Sequence, residues 1–142
     1  MLAPTLFNLY TADMGLAISE SHLASPKIGA EKIRLMQYAD DLVILDHTSI
    51  DLQRSLTALN TYNIKNDLTA NPSKTKVVVF GKRYSRTKKR WLLGSHKIDP
   101  VKSYNYLGVL LSESGNHIAQ LESVRSQVNA VIFALSKLNS CL

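Results

Sequence analysis

At 142 residues, with 45% hydrophobic and 20% charged side chains, the chain is one domain long and apolar enough to bury a core, which excludes a disordered tail. Its net charge of +6 is local: Lys82, Arg83, Arg86, Lys88, Lys89 and Arg90 stand together with no acid among them, and the remainder is balanced. The single cysteine, Cys141, excludes a disulfide framework and points to a reducing intracellular location; no apolar run is long enough to cross a bilayer, and the N-terminal stretch has no basic residue before Lys27, as a secretory leader would.

Pro4 suits a first helical turn, and Leu6, Phe7, Tyr10, Met14 and Ala17 share an apolar face, so Pro4 to Ala17 predicts a helix. A loop follows over 20–30. Lys32 to Tyr38 alternates as a strand, with Ile33 and Leu35 on one face and Lys32 and Arg34 on the other. Leu42 to Leu45 is a short, wholly apolar strand, which predicts burial on both faces. Ala39-Asp40-Asp41 must turn the chain between them, placing the carboxylates at a hairpin tip.

Thr48 and Asp51 have capping-box spacing and open a helix to about Asn66, with Leu52, Leu56 and Leu59 at helical intervals. Asn71-Pro72-Ser73 breaks the chain before a strand over Thr75 to Phe80. Trp91-Leu92-Leu93 and Lys97-Ile98 flank Gly94-Ser95-His96 as a hairpin. Val101 to Leu111 reads as a strand interrupted or bulged at Gly108. A long helix over about Asn116 to Leu138 closes the chain, its seam formed by Leu121, Val124, Val128, Val131, Leu135 and Leu138. Helices and strands interleave with tight hairpins, so a mixed, mainly antiparallel α+β fold is expected rather than a doubly wound parallel one.

Tyr38-Ala39-Asp40-Asp41 carries the chemistry. Adjacent carboxylates at a tip offer hard oxygen ligands to Mg²⁺, as two-metal nucleotidyl transfer requires. The bland alternative is a solvated acidic turn. The basic run over 82–90 is either a solvated loop or a segment that contacts phosphates or directs the chain to the nucleus.

Four blocks in order are Leu2-Ala3-Pro4-Thr5-Leu6-Phe7-Asn8-Leu9-Tyr10, the acidic hairpin, Asn71-Pro72-Ser73-Lys74 running into Val77-Val78-Val79-Phe80, and Tyr104-Asn105-Tyr106-Leu107-Gly108-Val109. Together they resemble the palm of reverse transcriptases, most closely those of non-LTR (LINE-type) retrotransposons; group II intron maturases carry a related palm. The resemblance covers nearly the whole chain. It implies a partial palm over 1–112 and the start of a thumb-like helical region over 113–142. It also implies an RNA-directed DNA polymerase that works on RNA template, DNA primer and dNTPs with Mg²⁺.

By the same resemblance Asp40 is the principal metal ligand and Asp41 its neighbour. Lys74 would neutralise triphosphate charge or protonate pyrophosphate, or else is a solvated lysine before a strand. Tyr106, Leu107 and Gly108 would form the hairpin that grips the primer, with Tyr38 and the basic run as further nucleic-acid contacts. Ala3 departs from the family's usual serine, so Pro4 and Phe7 read as structural. A third carboxylate, the fingers and the upstream palm are expected in a longer polyprotein, since neither Asp13 nor Asp46 is placed to replace that carboxylate. The isolated chain is accordingly expected to be inactive, and a non-catalytic nucleic-acid-binding remnant using the 82–90 loop is the alternative.

Overall fold

The computed structural model describes residues 2–19, 26–81, 90–115 and 118–139. In chain order its elements are α1 (Ala3–Tyr10), α2 (Met14–Ser19), β1 (Lys27–Ile28), β2 (Glu31–Lys32), β3 (Leu35–Tyr38), β4 (Asp41–Ile44), α3 (Ser49–Lys65) and β5 (Val77–Val78). Then follow β6 (Trp91–Leu93), β7 (His96–Ile98), β8 (Pro100–Val101), β9 (Ser103–Tyr106), β10 (Val109–Ser112) and α4 (Ile118–Asn139). The α+β expectation holds, with four antiparallel strand pairs and one parallel pair, β5 with β8, among the described residues. Among the described residues these are five two-stranded pairs rather than one continuous sheet.

Two compact units divide the chain: 1–75 with 90–98, and 76–89 with 99–142. The first unit is built on α3. Thr48 Oγ1 accepts from the Asp51 amide at 3.1 Å and donates to the Asp51 carboxylate at 2.7 Å, so the expected cap forms. The helix ends in a Schellman turn: Asp67 takes a φ of 50°, and the Leu68 amide bonds the Asn63 carbonyl at 2.8 Å. Leu56, Leu59 and Tyr62 on α3 are buried, as are Met14 and Ile18 of α2 and Trp91, Leu93 and Ile98 of the β6–β7 hairpin. The Trp91 indole N–H donates to the Ser49 carbonyl at 3.1 Å. Gln53 binds the open edge of β6 as a strand would: its Nε2 donates to the Leu92 carbonyl at 2.9 Å and its Oε1 accepts from the Leu92 amide at 2.8 Å. Gly94 opens the β6–β7 turn with a φ of +61°, and a Cβ there would stand 2.8 Å from Asn60 Oδ1.

Several expectations are corrected. The helix over Pro4 to Ala17 breaks at 11–13, where the Thr11 hydroxyl back-bonds to the Phe7 carbonyl at 2.9 Å and Thr11 is drawn into the interior. Leu6 and Tyr10 on α1 are exposed, so the apolar face that reaches the core is that of α2. The strand over Lys32 to Tyr38 is split at Ile33-Arg34. Arg34 does not face solvent: it lies 4% exposed, with Nε 3.6 Å from the equally buried Asp46 carboxylate. An ion pair outweighs the alternation pattern there, because a buried guanidinium needs a counter-charge. Residues 42–45 are half-buried rather than fully buried, and among the described residues β4 pairs with β3 alone. The strand over Thr75 to Phe80 shortens to Val77–Val78, and Phe80 is exposed.

In the second unit the strand expected over Val101 to Leu111 is interrupted at Leu107-Gly108 rather than bulged there. β9 and β10 form a hairpin that turns at Leu107-Gly108, with φ values of 49° and 80°. Positive φ at both central residues is the I′ geometry that matches strand twist, which is why glycine stands there. Long helix α4 forms where the heptad-like spacing placed it, with Leu121, Val124, Val128 and Val131 exposed. No described helix is long and apolar enough to cross a membrane.

Candidate active site

β3 and β4 pair in register Leu35↔Ile44, Met36↔Val43, Gln37↔Leu42 and Tyr38↔Asp41. This leaves Ala39-Asp40 as a two-residue turn. Ala39 has a φ of 51°, in the left-handed range where glycine is ordinary and an L side chain is not. A Cβ in that region costs about 1–2 kcal/mol.

Period-two alternation then sorts the hairpin. Met36, Tyr38, Asp41 and Val43 share one face, and Leu35, Gln37, Leu42 and Ile44 the other. On the first face Tyr38 is 67% and Met36 42% exposed, and Asp41 is exposed beside them. The second face is half-buried throughout. Asp40 projects from the turn, exposed. Both carboxylates are therefore open to ions, with an accessible aromatic directly across from Asp41.

The turn is tied to the unit beneath it. Gln37 Nε2 donates to Thr11 Oγ1 at 2.6 Å and to the Ala39 carbonyl at 3.2 Å. Thr11 spends its own proton on Phe7, so the glutamine must present its N–H₂ end to both acceptors. Neither Gln37 nor Thr11 stood out in the motif. The signal was a polar residue on the inward face of the strand, two positions from Leu35.

Asp13 and Asp46 are engaged elsewhere. The Tyr62 hydroxyl donates to Asp13 at 2.5 Å; burial first, and then the Asp13 hydrogen bond and charge, push that hydroxyl up to about 12. Asp46 faces Arg34. Among the described residues no three His, Cys, Asp or Glu side chains gather as a metal cage. Two hard carboxylates do suit Mg²⁺, which binds through one or two carboxylates, keeps several waters and takes further oxygens from substrate phosphates.

Lys74 is exposed in the turn that Asn71 organises: Asn71 Oδ1 accepts from the Ser73 amide at 3.0 Å and the Ser73 hydroxyl at 2.7 Å. In the second unit the Leu107-Gly108 tip is exposed and Tyr106 half-buried. Gln120, in the first turn of α4, holds that tip: Oε1 accepts from the Leu110 amide at 2.7 Å and Nε2 donates to the Gly108 carbonyl at 3.1 Å. Of the basic run, Lys82, Arg83, Arg86, Lys88 and Lys89 lie outside the described residues; Arg90 is exposed just before β6.

The family model for reverse transcriptase (RNA-dependent DNA polymerase) matches residues 1–111. The chain belongs to the reverse transcriptase family. This reverse transcriptase chain is also 27% identical over 121 residues to a retrovirus-related Pol polyprotein from type-1 retrotransposable element R2 of Popillia japonica, over 80% of the chain and 20% of that protein. It thus spans about a fifth of the length of the curated relative it matches. These two matches support the non-LTR retrotransposon assignment. No solved structure gave a significant match.

Proposed function

We propose that this reverse transcriptase chain supplies the acidic hairpin of a two-metal RNA-directed DNA polymerase, within a longer protein that carries the fingers and the rest of the palm. Residues 1–112 read as palm and 113–142 as the start of a thumb. The observation that supports this best is the β3–β4 hairpin, which holds Asp40 and Asp41 open to solvent beside Tyr38 inside the span matched by the family.

In this reading Asp40 and Asp41 hold Mg²⁺, which when bound activates the primer hydroxyl and neutralises the triphosphate. Asp40 is the principal ligand and Asp41 completes its side of the site. Lys74 offsets phosphate charge or donates a proton to departing pyrophosphate. Tyr38 gives an apolar surface next to the carboxylates, and Tyr106, Leu107 and Gly108 steady the primer end, where glycine lets a backbone approach closely. Lys82, Arg83, Arg86, Lys88, Lys89 and Arg90 contact phosphates. RNA template, DNA primer and dNTPs are the partners, and the setting is intracellular.

Primer extension by the longer polypeptide tests this. Extension on an RNA template is expected to need Mg²⁺ and to vanish with Asp40→Ala, while the 142-residue chain alone extends little or not at all. The +6 concentrated in residues 82–90 favours a second reading, a nucleic-acid-binding remnant. Binding that falls steeply with salt and ignores Asp40→Ala, with no extension by the longer polypeptide, establishes that reading instead.

A further inference from the structure

We infer that Gln37 is a positioning residue for the acidic turn: one amide nitrogen ties the strained Ala39 carbonyl to Thr11, and so ties the orientation of Asp40 to the break between α1 and α2. The chain of hydrogen bonds is continuous and each donor has one acceptor. The Thr11 hydroxyl donates to the Phe7 carbonyl at 2.9 Å, and Gln37 Nε2 gives one proton to Thr11 Oγ1 at 2.6 Å and the other to the Ala39 carbonyl at 3.2 Å.

Three features make this a clamp rather than incidental contact. Thr11 is 1% exposed, so its hydroxyl is a fixed point. Gln37 lies on the half-buried face, opposite Leu42, where an aliphatic residue would satisfy packing. Ala39 holds a φ of 51° that an L side chain rarely adopts, and such a conformation persists only where surrounding groups over-determine it. Gln37 bonds the carbonyl of that same residue, which immediately precedes Asp40. Motion of α1 relative to α2 would therefore be felt at the carboxylate.

The inference rests on the metal-site reading only for its consequence in catalysis, and its test separates the two. Backbone shifts, the Ala39 H–N–Cα–H coupling and amide exchange are measured by NMR on the full chain without metal. Gln37→Leu is expected to shift the Ala39 coupling and to speed Asp40 and Asp41 amide exchange about 3- to 10-fold. Thr11→Val, which keeps shape and removes only the hydroxyl, is expected to do the same and serves if Gln37→Leu does not fold. Ala39→Gly in the Gln37→Leu background is expected to restore the turn, because glycine needs no clamp at positive φ; a residue that merely fills the core would not be rescued there.

Mn²⁺ broadening of the Asp40 and Asp41 resonances is then compared, with affinity expected to fall in Gln37→Leu and recover in the double variant. Unchanged coupling and exchange in both Gln37→Leu and Thr11→Val would overturn the clamp. Absence of Mn²⁺ broadening in the wild type would overturn the metal reading alone, since the clamp is judged on the metal-free spectra.

Discussion

The hairpins Leu35–Ile44 and Ser103–Ser112 each pair four residues against four across a two-residue turn, and a glutamine braces each turn. They differ in where strain and support lie. The first carries its glutamine within its own strand, rests one face on the first unit, and forces an alanine to φ 51°. The second uses Leu107-Gly108, with both φ values positive, and borrows its glutamine from α4. In the proposed reading the tip tied to Thr11 of its own unit bears the metal, and the tip tied to α4 meets the primer strand.

The buried pair at the base of the first hairpin offers the hardest test of this contrast. Arg34→Met leaves Asp46 without its guanidinium and should lower stability by about 3–5 kcal/mol. Urea unfolding would show the loss, and amide exchange should rise over 35–44 more than over 103–112. An effect under about 1 kcal/mol would mean that the pair does not anchor the hairpin.

Exchanging the turn residues should move stability in opposite directions at the two tips. Gly108→Ala should destabilise by about 1–2 kcal/mol because it imposes a Cβ at φ 80°. Ala39→Gly should stabilise by up to about 1 kcal/mol, the relief of strain exceeding the added freedom of the unfolded chain. Equal signs at the two positions in denaturant titrations would break the distinction. Gln120→Leu should cost about 1 kcal/mol and loosen only the second turn, read as faster exchange at Leu110.

The smallest effect is confined to alkaline pH. The Tyr62 hydroxyl is raised in the folded state, so the unfolded chain releases that proton first as pH rises above 10. Its contribution is fully present below pH 10 and is lost towards pH 12, where the folded hydroxyl also ionises. Tyr62→Phe should flatten that part of the stability profile and leave neutral pH behaviour governed by the lost Asp13 hydrogen bond.

The elements set by local rules were readable from the residues. Thr48 with Asp51, the Gly94 turn and the long heptad-spaced helix formed as expected because caps, turn residues and periodicity act within a few positions. Asp40 at a hairpin tip followed from the apolar runs on either side. Contacts between distant segments were not readable. Arg34 looked solvent-facing because its partner Asp46 lies twelve residues on, and the break at Thr11 depends on a hydroxyl that bonds both Phe7 and Gln37. At Gly108 the residues alone left a bulge and an interruption open and the resemblance implied a hairpin; the hairpin forms, with Leu107 also in the left-handed region, which no propensity for leucine anticipates.

Whether the first hairpin is a metal-bearing tip is read by titrating the chain with Mg²⁺ and following the amides of residues 39–42. A metal-bearing tip gives saturable shifts centred on Asp40 and Asp41 at millimolar Mg²⁺ that disappear in Asp40→Asn. Shifts that persist unchanged in Asp40→Asn, or no shifts at all at these residues, would contradict it.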